Sequence, residues 1–168
     1  PKHIRVVSRC ANAFDHGYRI TLSGKERLQA IFAITPRLKD DLIQKYDANP
    51  AIMHLIPNGI DTKPFEKASQ NERGLEDILQ LGFLGRLEHN QKGVMHLPKL
   101  VENLSLQEIP FHLSIAGKGA DREKLEKALE PWIQLGQISF LGALTRAQVP
   151  DFLAKTDVYI FPSHFEGC

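Results

Sequence analysis

Cysteine is nearly absent: only Cys10 and Cys168 occur among 168 residues. Two cysteines so far apart make no disulfide framework, so the expected setting is a reducing compartment on the cytoplasmic side. Net charge is nearly absent too, at +1. No global field then points to nucleic acid, and no nucleic-acid partner is expected. No apolar run reaches the roughly 20 residues of a membrane span, and no secretory signal pattern is visible. No His, Cys or Asp spacing suggests a metal site. Ser8, Ser23 and Ser163 lack the context of a nucleophile elbow, which leaves hydrolase chemistry without support.

What is present is ordinary for a chain that buries a core: 42% hydrophobic and 24% charged residues. The length suits one domain, or one domain with part of another. Charge is uneven only at the start. Lys2, Arg5, Arg9, Arg19, Lys25 and Arg27 face Asp15 and Glu26 alone. That bias fits a phosphate- or membrane-facing patch, or simply a solvated face.

Residues 3–8 alternate polar and apolar and predict a strand, while 9–24 carry loop residues. Lys25 to Ala30 could open a helix, and Ile31 to Ile34 is a short buried strand. Thr35-Pro36 starts a helix, with Thr as N-cap and Pro at the first helical position. Leu38, Leu42 and Ile43 give it an apolar face ending near Tyr46. Ile52 to Ile56 is a further strand. Pro57 to Asp61 is a turn whose Asn58-Gly59 tolerates positive φ. Residues 62–76 are polar and aperiodic, as in a linker. Beyond them strands at 79–84, 111–116, 138–141 and 158–161 alternate with helices at 94–104, 120–133 and 145–155. Alternation at about 25 residues per unit marks a parallel sheet with covering helices. The expected class is therefore α/β, a Rossmann-like parallel sheet with helices on both faces. Trp132 and Phe140 are most simply core.

Strands of open α/β sheets present ligands at their carboxyl ends. After the strand at 79–84 come Gly85-Arg86 and then Lys92-Gly93. Glycine lets a backbone come close, Arg offers a planar fork to phosphate oxygens, and Lys adds a point charge. The group suits a diphosphate, or it is a tight turn with two surface cations. Gly117-Lys118-Gly119 follows a strand and opens a helix, either as a structural turn or as an anion site. The Walker pattern fails because Gly119 follows Lys118. The dinucleotide fingerprint fails because Arg122 stands in place of the third glycine, and no carboxylate ends the next strand. Pro162 to Gly167 leaves the fourth of these strands. There Glu166 could accept hydrogen bonds from sugar hydroxyls or stand as an exposed turn residue. His164 is a candidate acid or base, or a surface residue.

Six motifs in order complete the pattern: Ile56 to Asp61, Gly85-Arg86-Leu87 with Lys92-Gly93, Ile115 to Gly119, Phe140-Leu141-Gly142, Asp157-Val158-Tyr159, and Pro162-Ser163 with Glu166-Gly167. Over about residues 52–168 the chain resembles the retaining glycosyltransferases of family 4, the glycosyl transferases group 1, of GT-B fold. The resemblance implies a nucleotide-diphospho-sugar donor, UDP- or GDP-linked, and a carbohydrate or lipid-linked acceptor. Arg86 and Lys92 would hold the diphosphate and stabilise it as a leaving group, with no bound metal and no cofactor. Gly85 would let the chain approach the phosphates. Gly117 and Gly119 would shape the wall of the nucleotide cleft, and the backbone near Leu144 would edge the base. Glu166 matches the first of the family's paired glutamates, which contacts the donor sugar.

The second glutamate, eight residues on, would lie past Cys168, as would the helix facing the diphosphate. The chain therefore reads as part of a longer hexosyltransferase. Residues 1–56 would end the acceptor lobe, 57–76 would link the lobes, and 77–168 would begin the donor lobe. Such a piece is expected to turn over nothing alone and to self-associate through an exposed sheet edge. The whole protein could sit at the inner face of a membrane. A non-enzymatic Rossmann-type nucleotide-binding or interaction module, or a GT-B-like sugar-nucleotide epimerase, would share much of this pattern.

Overall fold

The computed structural model describes residues 4–66 and 78–166, and it divides the chain into two compact units. One comprises Pro1–Ile60 with Phe165–Cys168, the other Asp61–His164. Both are α/β, built on parallel sheets flanked by helices. Much of the residue 57–76 linker reading, together with Gly167 and Cys168, lies outside the described residues.

The first unit has three parallel strands in the order β1 (Val6–Cys10), β2 (Leu28–Ala33), β3 (Met53–Leu55). Helix α1 (Asp15–Thr21) joins the first two strands and α2 (Pro36–Tyr46) the last two. Two local expectations fail here. The 9–24 stretch contains α1, not only loop. Tyr18 is buried and stacks on Tyr46 with ring centroids 4.7 Å apart, so a long-range contact stabilises a helix of weak local propensity. The predicted helix at Lys25 to Ala30 is instead one 3-10 turn, Lys25–Arg27, running into β2, because Leu28 pairs with Val6 across the sheet. Helix α2 starts as expected, with the Thr35 side chain accepting from Leu38 N–H at 3.3 Å. Its Leu38 and Leu42 join Ile31, Ala33 and Met53 in the core. Neither Asn58 nor Gly59 takes up positive φ, so that turn does not use the freedom read from its sequence. Asn58 instead accepts from Arg9.

Lys2 lies outside the described residues, and two of the other early basic residues make local contacts. Arg19 pairs with Asp15 at 2.6 Å, and Lys25 lies 3.8 Å from Asp47. Both pairs are solvent-exposed.

The second unit opens with a short helix, α3 (Lys63–Glu66). Its four parallel strands are β4 (Leu79–Leu84), β5 (Phe111–Ala116), β6 (Ile138–Gly142) and β7 (Val158–Tyr159), in the order β6-β5-β4-β7. The short α4 (His89–Lys92), a 3-10 turn at Val94–His96 and α5 (Leu97–Leu106) link β4 to β5. Helices α6 (Arg122–Gln134) and α7 (Val149–Ala154) complete the crossovers. The helix expected at 145–155 is shorter because Gln148 Oε1 accepts from both N–H and O–H of Thr145, closing a turn first. Central strand β4 is buried at Leu81 and Phe83. These pack with Leu113, Ile115, Val101, Leu125 and Leu129, while Trp132 and Phe140 lie against that core.

The strand order places a topological switch at β4. The chain steps from β4 to β5 to β6 on one side, then returns to lay β7 on the other. Loops leaving adjacent strands diverge at such a point and open a crevice outside their carboxyl ends.

Candidate functional site

The carboxyl end of β4 continues as an ordered loop held against the exit of β5. Gly85 N–H donates to Ala116 C=O at 3.0 Å, Leu87 N–H to Lys118 C=O at 2.9 Å, and Asp121 N–H to Leu87 C=O at 3.0 Å. The fully buried Leu87 anchors the loop. The β6 exit joins through Gly117 N–H donating to Gly142 C=O at 2.7 Å, and half-buried Leu144 follows two residues on. The loops carrying Gly85, Gly117, Gly119 and Leu144 therefore lie side by side along one sheet edge.

The glycines there differ in kind. A Cβ on Gly117, whose φ is +144°, would fall 1.8 Å from Gly85 O, and one on Gly119 would fall 2.3 Å from Leu87 O. Neighbouring backbone fills that space, so the turn itself accounts for both glycines. Gly85 is different. A Cβ there would meet Phe83 Cζ at 3.4 Å and Cε1 at 3.7 Å and Lys92 Cδ at 4.0 Å, which are ordinary contacts. Packing does not demand a glycine at 85.

The two cations sit beside it. The Lys92 stem passes Gly85, and its ammonium lies 5.5 Å from the centroid of the Phe161 ring, just past β7. The Arg86 guanidinium folds back on its own loop, donating to Gln91 Oε1 and pairing with Glu88 Oε2 at 3.0 Å. The Arg86 side chain remains 59% exposed. An exposed pair of this kind holds by about 1 kcal/mol or less, so a polyanion can displace Glu88. Helix α4 is fixed from across the loops, where Asp121 Oδ2 accepts from His89 N–H at 2.7 Å. Gln91 C=O accepts from His164 N–H at 2.8 Å, tying the exit of β7 to the same helix. The structure thus brings Gly85, Arg86 and Lys92 together between the exits of β4 and β7. Glu166 is half-buried and falls in the 165–168 segment that belongs with the first unit.

Spacing along the chain hid one group here. His89, His96 and His164 each offer a ring nitrogen within 4.8 Å of the other two, although 68 residues separate His96 from His164. Only the return of β7 to the flank of β4 makes them neighbours.

A family model described as "Glycosyl transferases group 1" matches residues 79–168. Among curated proteins, the glycogen synthase of Deinococcus deserti is 32% identical over 106 residues, covering 61% of this chain and 22% of that protein. The gpi3 subunit of phosphatidylinositol N-acetylglucosaminyltransferase from Schizosaccharomyces pombe is 23% identical over 137 residues, covering 82% and 29%. Among solved structures, the pneumococcal O-GlcNAc transferase GtfA, in complex with UDP and GlcNAc, superposes with a TM-score of 0.75 at 14% identity. That match covers 97% of this chain and 34% of the other. At that identity the likeness shows a shared fold. The chain spans about a third of the length of the curated relatives it matches.

Proposed function

The chain belongs to the glycosyl transferases group 1 family, and on that premise we propose that the protein moves a hexose from a nucleotide-diphospho-sugar to an acceptor hydroxyl with retention of configuration. The observation that carries this is the joining of Arg86 and Lys92 at Gly85, on the strand exit where the sheet order reverses. As the sugar–phosphate bond breaks, negative charge grows on the departing diphosphate. Cations at that place stabilise charge where it develops in bond breaking. Arg86 leaves Glu88 and grips phosphate oxygens with its fork, while Lys92 supplies a point charge. Gly85, lacking a side chain, lets the diphosphate reach the backbone. Gly117 and Gly119 form the wall, and the backbone near Leu144 edges the base. Glu166 accepts hydrogen bonds from sugar hydroxyls. The reaction runs with neither resident cofactor nor metal. The acceptor is a carbohydrate or a lipid-linked carbohydrate, met in the cytoplasm or at the inner face of a membrane.

The test is calorimetric titration of the intact protein with UDP and GDP, paired with donor turnover of Arg86→Ala. One nucleotide should bind, and the variant should lose at least 100-fold in turnover, the scale of a lost transition-state charge partner. Undiminished turnover in Arg86→Ala would remove the diphosphate role.

A further inference from the structure

The three histidines at the switch point have no part in the transfer reaction above. His89 is on α4, His96 ends the 3-10 turn before α5, and His164 leaves β7. Their ring centroids form a triangle, each pair 5.2 Å apart with the rings set edge to face. His89 is half-buried, and His96 and His164 are exposed. Three imidazoles that converge from two separate strand exits, each with a nitrogen within 4.8 Å of the other two, are the donor set of a borderline divalent metal ion.

We propose that His89, His96 and His164 form a binding site for a late first-row divalent cation, of which Zn²⁺ is the natural probe, and that the ion pins the exit of β7 to the exit of β4. Geometry supports a clamp. Tetrahedral zinc with nitrogen ligands needs donor separations of about 3.3 Å. The nitrogens now lie within 4.8 Å, so rotations of two solvent-facing rings close the remaining gap. The backbone beneath is already set. Gly93, at φ +64°, meets Pro162 so closely that a Cβ there would fall 2.0 Å from Pro162 O. The His164 and Gln91 backbones are hydrogen-bonded. Both strand exits are thus held in place before any ion arrives, which lowers the ordering cost of binding.

Met95 N–H reaches His89 Nδ1 at 3.3 Å, so that nitrogen carries the lone pair. Ligation through Nδ1 displaces this contact, and ligation through Nε2 shifts the ring proton to Nδ1 and gives it up as well. One long hydrogen bond is exchanged for a coordinate bond. Three protein ligands leave a fourth position for water. The site lies on the loop system that carries Lys92, so an ion there would stiffen that loop without touching the transferred sugar.

The inference stands apart from the glycosyl-transfer reading, because its test uses metal alone. The intact protein, free of chelator and nucleotide, is titrated with Zn²⁺ by calorimetry and with Co²⁺ by visible absorption. One equivalent should bind, with the intense d–d bands of low-coordinate cobalt, and Zn²⁺ should raise the melting temperature. His96→Ala and His164→Ala, both at exposed positions, should each weaken binding at least 10-fold and abolish the thermal shift. His112→Ala, which removes a histidine hydrogen-bonded to Ser139 elsewhere on the sheet, should leave both unchanged. Absence of saturable one-equivalent uptake overturns the proposal. So does equal affinity in the His96 and His164 variants, or an equal loss in His112→Ala.

Discussion

At the scale of single residues, glycines that look alike in sequence do unlike work. Gly117 and Gly119 are required by the protein, since Gly85 O and Leu87 O occupy the space a side chain would take. Gly85 meets no such obstacle. Gly119→Ala should therefore destabilise the second unit by about 3 kcal/mol or more, because backbone must move to relieve the overlap. Gly85→Ala should leave the unfolding free energy in urea within about 0.5 kcal/mol of the parent while weakening UDP or GDP binding several-fold. If Gly85→Ala binds nucleotide as tightly as the parent, the phosphates do not approach that backbone. Along the chain the Gly-x-Gly motif read first as a turn, with an anion site as the alternative. The difference lies in atoms from another loop, which local spacing does not encode.

At the scale of elements, α2 was legible because its signals are local: a Thr-Pro start and an apolar stripe that ends near Tyr46. Helix α1 was not, because its support comes from α2. Tyr18 O–H donates to Asp41 Oδ2 at 2.7 Å, Lys45 pairs with Asp41 at 2.7 Å, and Tyr46 O–H donates to Asp15 Oδ1 at 2.9 Å. Hydrogen bonds from Lys45 and then Tyr18 hold the Asp41 carboxyl below its ordinary range, against the opposing effect of burial. Burial, and then the bond to Asp41, pushes the Tyr18 phenol upward. The carboxyl is depressed in the folded state, so its contribution is complete above the unfolded value of about 3.9 and is lost as pH falls below it. Asp41→Asn should cost about 1.5 kcal/mol at pH 7. The gap from the parent should narrow as urea unfolding is repeated from pH 5 down to pH 3. A gap of constant size across that range would mean that the Asp41 charge does not hold α1 to α2.

At the scale of the whole molecule, each unit encloses its own buried cluster. Leu42 is fully buried in one and Leu113 in the other. Either Leu→Ala change should cost about 2–5 kcal/mol in its own unit. Amide exchange should show Leu42→Ala unprotecting β2 while β4 and β5 keep their protection, and Leu113→Ala the reverse. Loss of protection in both units from one substitution would show that they unfold as a single cooperative body.

Read alone, the chain settled the α/β class, the bounds of β4 and β5 to the residue, and the Gly-Arg and Lys-Gly pairs at a strand exit. Those features are written in short-range hydrophobic period and turn chemistry, which neighbouring residues decide among themselves. Folding in three dimensions decided the rest: that β7 returns to the flank of β4, that two glycines serve packing while a third does not, and that three scattered histidines share one point. Sheet order is a choice among long-range pairings of similar local strength, and no stretch of sequence carries it by itself.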